Sequence, residues 1–348
     1  MTDISCYSPI NIMKFVLPYY NLQDSVITIV KSKDTDKQRV VFKISSPDTS
    51  FCLKKIYYSV SELLFVYSAL EWLYRNNVNV PKIIPTIKNG RYVEYNKGFF
   101  ILTPWIEGER CDFHNETHVI KCAMSLAKLH KTTKNFIPID GCSMKENYND
   151  LYKYTLKHLE QLVELNIYAS EKNDTFSKIF LEFYQKNLYL AEEALKISAK
   201  INNKNLSISL CHGDYVNKNI IFDNRNIPWT IDFDKCKKGY SAYDIGYFLR
   251  RYLRRDSILF NKTLAYNFLK EYNKINKLTP SDLQFIVSYI TFPQKFFKIS
   301  KVYLKNTDNS ISKDILLSNL KKSSKNIDYQ INLVNHLKKE LTLSNWTI

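Results

Sequence analysis

Near Gly108 the apolar residues of this 348-residue chain change their spacing, from alternation to helical periodicity. That switch constrains the fold more than any other feature, because side chains alternate across a strand but recur every three to four residues on a helix face. Before it, SVITIVKS (25–32), KQRVVFKIS (37–45) and TSFCLKKIYY (49–58) are rich in β-branched and aromatic residues. The polar stretches KDTD (33–36) and SPD (46–48) separate them as turn residues separate hairpin strands, which predicts a three-stranded antiparallel meander. SVSELLFVYSALEWLYRNN (59–77) then places Leu63, Val66, Ala69, Leu70 and Leu73 at helical spacing, with Ser61 as the expected N-cap and Pro81 and Pro85 marking the exit. GRYVEYN (90–96) and GFFILTPW (98–105) read as two further extended runs, giving the order β-β-β-α-β-β.

Beyond Gly108, HVIKCAMSLAKLHKTT (118–133) carries Val119, Cys122, Ala123, Leu126, Ala127 and His130 on one face. Further helices are expected at roughly 148–168, 175–199, 241–254, 257–275, 281–304 and 312–341. The expected fold class is therefore α+β with two lobes. A small antiparallel β lobe with one helix occupies 1–104, a larger and mostly helical lobe occupies 105–348, and they join near 103–108.

Lys and Arg number 50 against 34 Asp and Glu, a formal excess of +16, which favours polyanionic partners or simply a lysine-rich solvated surface. The chain has no recognition helix or RNA motif that would turn this charge into a nucleic-acid reading. The seven cysteines, Cys6, Cys52, Cys111, Cys122, Cys142, Cys211 and Cys236, are odd in number and form no CxxC pair, as expected of thiols in a reducing compartment. CDFHNETH (111–118) has His114 and His118 four residues apart, yet with no second cluster it reads as part of a surface helix rather than a metal site. The amino terminus lacks the pattern of a signal peptide, and GFFILTPWI (98–106) is too short to span a bilayer. The expectation is a soluble protein made in the cytosol.

The stretch ISLCHGDYVNKNIIFDNRNIPWTIDFD (208–234) carries the chemistry. HGDYVNKN (212–219) has neither periodicity and reads as a structured loop, with Asp214 and Asn219 five residues apart. A hairpin of 219–222 with 229–232 would set Asn219 and Asp232 near each other. Two carboxylates and an amide, with no His-Cys cage, suit Mg²⁺. One of the three would remain off the metal to act as base or to orient an attacking hydroxyl, which is the division of labour in phosphoryl transfer. Gly is scarce here, 7 residues in all, so Gly213 marks a backbone need.

HGDYVNKN followed by IDFD resembles the aminoglycoside phosphotransferase and choline kinase superfamily, whose fold is protein-kinase-like. Within it, the LKK strand, the VPKIIPT segment after the first long helix, and FPQKFFKISKVYLKN resemble bacterial spore coat proteins of the CotS type. The resemblance implies ATP and Mg²⁺ as cofactors, a catalytic loop at 212–219 and a metal-binding segment at 229–234. It makes Asp214 the catalytic residue, and Asn219 and Asp232 the metal ligands. It also makes Lys54 the lysine that pairs with nucleotide phosphates, partnered by Glu62 or, nine residues on, Glu71. Strand alternation alone leaves Lys55 open beside Lys54. Pro104, Trp105 and Ile106 match a hinge meeting the adenine edge, and Asp244 matches an Asp that braces the catalytic loop. His212 reads as a loop brace rather than a base, and Asp234 as a solvated turn. No Gly precedes Gly90, so the turn at 31–38 is not a glycine-rich phosphate flap.

KCKKGYSAYDIGYFLRRYLRR (235–255) holds seven Lys and Arg against one acid, Asp244. If these cations face the cleft, a polycationic drug is repelled and an acidic acceptor attracted; if Arg251, Arg254 and Arg255 lie on an outer helix face, they say nothing of the substrate. Two functional readings stand side by side. One is a Mg-ATP-dependent phosphotransferase acting on a hydroxyl of a small molecule or protein. The other is a catalytically weak kinase-fold scaffold that meets other coat proteins. Either implies synthesis in the mother cell cytoplasm, a place in the spore coat, and no membrane partner.

Overall fold

The computed structural model describes residues 4–33, 39–306 and 311–342. Residues 34–38, which include most of the turn expected at 33–36 and the start of the strand expected at 37–45 and fall within the segment 31–38 weighed as a phosphate flap, lie outside the described residues. The strands are β1 (Val26–Lys33), β2 (Arg39–Ser45), β3 (Ser50–Ile56), β4 (Val93–Tyr95), β5 (Gly98–Pro104), β6 (Glu109–Arg110), β7 (Glu146–Asn147), β8 (Ile208–Cys211), β9 (Ile220–Phe222), β10 (Pro228–Thr230) and β11 (Lys237–Tyr240). The α-helices are α1 (Pro9–Phe15), α2 (Val60–Arg75), α3 (Glu116–Thr132), α4 (Leu151–Ser170), α5 (Thr175–Ser198), α6 (Ala242–Leu253), α7 (Lys262–Ile275), α8 (Pro280–Thr291), α9 (Gln294–Leu304), α10 (Lys313–Ser324) and α11 (Ile327–Thr342). An antiparallel sheet in the amino-terminal part and a mostly helical carboxy-terminal part are the expected two-lobed α+β class. By internal contacts the chain forms two compact units. The first is Met1–Cys111 with Lys131–Glu146 and His212–Lys238; the second is Asp112–His130 with Asn147–Cys211 and Gly239–Ile348.

In the first unit a five-stranded sheet runs in the order β1-β2-β3-β5-β4, antiparallel throughout. Alternation along β2 turns Val40, Phe42 and Ile44 to one face, where Leu53, Phe100 and Leu102 join them. Ile12 of α1 and the following Val16 and Leu17 complete that cluster, so one sheet face is buried by the amino-terminal helix. α2 buries Leu63, Val66, Ala69, Leu70 and Leu73, as its periodicity predicts. Its N-cap is Ser59, not Ser61. Ser59 Oγ accepts from the Glu62 N–H at 3.3 Å, and the Glu62 carboxylate accepts from the Ser59 N–H at 3.0 Å. Such a reciprocal box needs Glu or Gln three residues after the cap, which Ser59 has and Ser61, followed by Leu64, does not.

In the second unit α4, α5, α9 and α10 enclose a cluster that includes Leu162, Phe176, Phe180, Phe296 and Leu320. The helix expected over 281–304 is two helices, α8 and α9. Pro293 has no N–H to give and keeps Phe292 out of helical geometry, at φ −59° and ψ 128°. The helix expected over 312–341 also divides, where the Ser323 and Ser324 hydroxyls both donate to the Leu320 carbonyl at 2.8 and 3.1 Å.

Ser59→Ala should destabilise the protein by about 1 kcal/mol, the usual loss for an N-cap. Urea denaturation with an unchanged midpoint would show that the box does not set the start of α2.

Candidate active site

The hairpin expected around the catalytic stretch is formed by β9 and β10, with Ile220 opposite Thr230 and Phe222 opposite Pro228. The Ile231 N–H extends the ladder to the Asn219 carbonyl at 2.9 Å, so Asp232 begins one residue past a strand end fixed against Asn219. Asp232 itself adopts a left-handed backbone, φ 67° and ψ 61°, which non-glycine residues seldom take. That turn ends the strand direction and opens a single helical turn, Phe233–Lys235.

The loop 212–219 is anchored to this hairpin by side chains. The His212 ring accepts the Asp214 N–H at Nδ1 (3.2 Å), which leaves its proton on Nε2 to donate to the Ile231 carbonyl at 2.9 Å. Phe233 packs edge-on against the same ring. Gly213 has φ +76°, and a Cβ there would sit 2.4 Å from the Lys235 carbonyl oxygen. No other residue fits so close an approach without moving backbone. Asn219 Nδ2 donates to the Asp214 carbonyl at 3.0 Å, which turns the amide oxygen away from that bond.

Lys54 comes to this segment from β3. Leu53 and Lys55 face the α1 side of the sheet, where Lys55 is buried beside the Tyr7 ring, 4.8 Å away. Alternation therefore sends Lys54 to the opposite face. Its ammonium lies 2.7 Å from Asp232 Oδ1 and 2.7 Å from Asp234 Oδ1. Burial alone would push the Lys54 pKa down, but the two carboxylates outweigh it and hold it above its ordinary value. Burial would likewise raise Asp232, yet the Lys54 ammonium outweighs it and brings the carboxyl down to about 2.

Two expectations are corrected here. Glu62 does not pair with Lys54: as the third residue of α2 its carboxylate turns back to Ser59 and reaches Lys145 at 3.2 Å. The open alternative, Glu71, holds Arg75 at 2.7 Å. Asp234 is not a solvated turn. Its side chain is only 10% exposed, and besides Lys54 it accepts from the Tyr58 hydroxyl at 3.4 Å. The repeated acid in IDFD was the available signal for it, since a strand end followed by a tight turn keeps both carboxylates close.

Asp214 is buried, with its carboxylate 3.2 Å from the Lys235 ammonium and 3.5 Å from that of Lys218. Sequence reasoning gave Lys218 no place and took Lys235 only as one of the cations of 235–255 that could face a cleft. Both are over half exposed, so the pairs are screened and add little stability. Pro104 ends β5 opposite Phe51, and the Trp105 N–H donates to the Ser50 carbonyl at 3.0 Å. Proline has no N–H, so of the three hinge residues Ile106 alone has a backbone donor without a partner among the described residues.

Asp244 lies in the second unit, fully buried, 3.3 Å from His130 Nε2, and the Tyr272 hydroxyl lies 2.8 Å from His130 Nδ1. Cys211 is also near this pair, within 4.8 Å, but its thiol donates to the Tyr240 carbonyl at 3.3 Å, so the trio reads as an internal polar chain. His118, expected on a surface helix, is buried and accepts the Asp112 N–H at Nδ1. None of the seven cysteines is bonded to another. Among the described residues no helix is long and apolar enough to cross a membrane.

Comparison with known proteins agrees with this geometry. The model of a family described as phosphotransferase enzyme family matches residues 30–276. Spore coat protein S of Bacillus subtilis (strain 168) is 22% identical over 188 residues, 53% of this chain and 52% of that protein. The chain thus matches about half the length of that relative. Among solved structures, an aminoglycoside phosphotransferase from Alicyclobacillus acidocaldarius subsp. acidocaldarius DSM 446 superposes with a TM-score of 0.78 at 16% identity, covering 94% of this chain and 95% of that one. A spectinomycin phosphotransferase in complex with ADP and spectinomycin gives 0.66 at 16% identity, covering 94% and 99%. Amicoumacin kinase in complex with AMP-PNP and Ca²⁺ gives 0.57 at 15% identity, covering 89% and 88%.

Gly213→Ala should destabilise the protein by about 1–3 kcal/mol, the range for a residue forced into a disfavoured backbone region. The expected readout is a lower thermal midpoint together with faster hydrogen exchange at the amides of Asp214 and Lys235. Exchange confined to its wild-type rate at both amides would mean that the close approach of loop and hairpin is not what the glycine secures.

Proposed function

This chain belongs to the phosphotransferase enzyme family, and from that premise we propose that it transfers the terminal phosphoryl group of Mg-ATP to a hydroxyl of an acceptor. The observation that carries the reading is the paired contact of Lys54 with Asp232 and Asp234, beside a buried Asp214 whose loop is tied to the same hairpin. Oxygen donors of this kind fit Mg²⁺. Asp232 keeps 39% of its side chain accessible, and Asn219 is anchored through Nδ2 with its oxygen left to accept. Asn219 and Asp232, with Asp234 adjoining, would hold the ion, which supplies charge neutralisation at the phosphates when bound. Lys54 supplies a second positive charge for the phosphates. The Ile106 N–H meets the adenine edge, and the sheet of residues 1–104 covers the nucleotide. Asp214 orients the acceptor hydroxyl and takes its proton as the oxygen bonds to phosphorus and ADP departs.

The named relative supports a place in the spore coat; synthesis in the mother cell and other coat proteins as neighbours are part of the same proposal. Phosphotransfer and coat residence are compatible, and a scaffold that has lost catalysis is the outcome the following experiment would reveal. Mg-ATP should raise the thermal midpoint of the wild type, because a ligand bound only by the folded state stabilises it. Asp232→Ala should lose the magnesium-dependent part of that shift. Asp214→Ala should keep the shift while ATP turnover, followed as labelled ADP in an extract of sporulating cells, falls by a factor on the order of 10² or more. A wild type that neither shifts nor turns over ATP would leave the kinase reading without support.

A further inference from the structure

The second unit carries a strip of tyrosines and cations that the phosphotransfer reading leaves unused. Tyr243, Tyr247, Arg250, Arg251 and Arg254 follow one another at helical spacing along α6 and its C-cap. Two of the guanidiniums are held in place by rings. Arg250 lies 4.1 Å from the Tyr289 ring centroid and donates to that hydroxyl at 2.8 Å. Arg251 lies 4.6 Å from the Tyr247 ring and donates to its hydroxyl at 2.6 Å. Gly246 permits this arrangement, since a Cβ there would come within 2.9 Å of the Tyr289 ring. Tyr243 packs edge-on against the same ring at 5.4 Å.

Other helices add charge of the same sign. Lys298 of α9 is pushed down by burial and then by Arg250 and Arg251. Lys295 of α9 is pushed down by burial and then by Arg254 and Lys322 of α10. Arg254 falls to about 10, first through burial and then through Arg250, Arg251 and Arg255. Among the described residues none of Arg250, Arg251, Arg254, Lys295 and Lys298 makes an ion pair with a carboxylate. The acid that Lys295 feels is Asp256, whose carboxylate accepts from Asn326 at 2.9 Å. The carbonyl end of α6 favours cations to a modest degree, but one helix end does not account for lysines arriving from α9 and α10. Half-buried like charges destabilise a fold, and an anion placed among them removes that repulsion.

We propose that this cluster is a binding site for a phosphate monoester, its phosphate held by Arg250 and Arg254, one helical turn apart, and its organic part lying against Tyr243 and Tyr247. Planar guanidiniums already fixed by aromatic rings are suited to bidentate contact with phosphate oxygens. The cations of α6 are concentrated over about 8 Å of helix, from 250 to 255, which suits one phosphate better than the track of a polymer. All these residues belong to the second unit, so the site stands or falls apart from the nucleotide reading above.

The test uses the full chain, without nucleotide, and glucose 6-phosphate as the probe in titration calorimetry. The wild type should bind it, inorganic phosphate should compete, and glucose should not bind. Arg254→Gln should weaken binding at least tenfold, and Arg250→Gln with Arg254→Gln should abolish it. Arg254→Gln should not unfold at a lower temperature than the wild type, because it removes repulsion, whereas the double variant also gives up the Arg250–Tyr289 contact. Absence of binding by the wild type, or equal binding by the double variant, would overturn the proposal. A single-stranded oligonucleotide that binds more tightly than the sugar phosphate, with an affinity falling as several powers of salt concentration, would overturn it in favour of a polyanion surface.

Discussion

An ammonium group held between two carboxylates, Lys54 with Asp232 and Asp234, is the contact on which the first unit depends. Removing a charge from water is unfavourable by several kcal/mol unless opposite charge and hydrogen bonds replace the lost solvent. Lys54 is well withdrawn from solvent, so β3 requires an acidic partner on the face of the sheet away from α1. The segment that answers this requirement lies 178 residues further along the chain. The contact thus fixes where the chain must return, and with it where residues 212–238 are placed within the unit.

Once the segment has returned, its geometry is set by short side chains bonded to backbone groups rather than by long flexible ones. His212 bonds the hairpin at the Ile231 carbonyl and its own loop at the Asp214 N–H, Gly213 permits the close approach to Lys235, and Asn219 clamps the Asp214 carbonyl. A carboxylate mounted on a loop so restrained loses little further freedom when a ligand arrives, and pre-organisation of this kind is what oriented chemistry requires. The left-handed backbone at Asp232 belongs to the same design, since it turns the chain sharply enough for Asp234 to approach Lys54 as well. A residue held in that region carries strain that the surrounding contacts must outweigh.

Much of this was legible in the residues because it rests on local rules. Partial alternation marked β2 and β3 as strands, and the 3.6-residue spacing of α2 named five of its buried residues. The spacing of Asp214, Asn219 and Asp232, split by two short apolar runs, was enough to imply the hairpin. What was not legible depends on long-range choice. Whether Glu62 answers Lys54 or caps its own helix is decided by the competition between Ser59, Lys145 and the two acids of IDFD, and no window of sequence contains all of them. Asp234 was misjudged for the same reason: turn residues are usually solvated, and only the arrival of Lys54 and Tyr58 covers it. The break at Pro293 was a different kind of miss, for the proline was visible and its effect on Phe292 follows from sterics alone.

The way the units are assembled from the chain has a consequence for folding. The first unit takes its last piece from His212–Lys238, after most of α3 and all of α4 and α5 have been built into the second. Contacts of such sequence separation form late, because the loop that must close is long and its entropy is lost before the contact forms. Until that closure Lys54 has neither acid beside it, and the ammonium has to stay in water. The sheet can therefore pair β1, β2, β3 and β5 on its own through neighbouring strands and its α1-side core, while the opposite face, where the candidate site lies, is completed only when the hairpin docks. The candidate site and the closing step of the unit are one event, so the residues grouped at that site are the same ones that finish the fold.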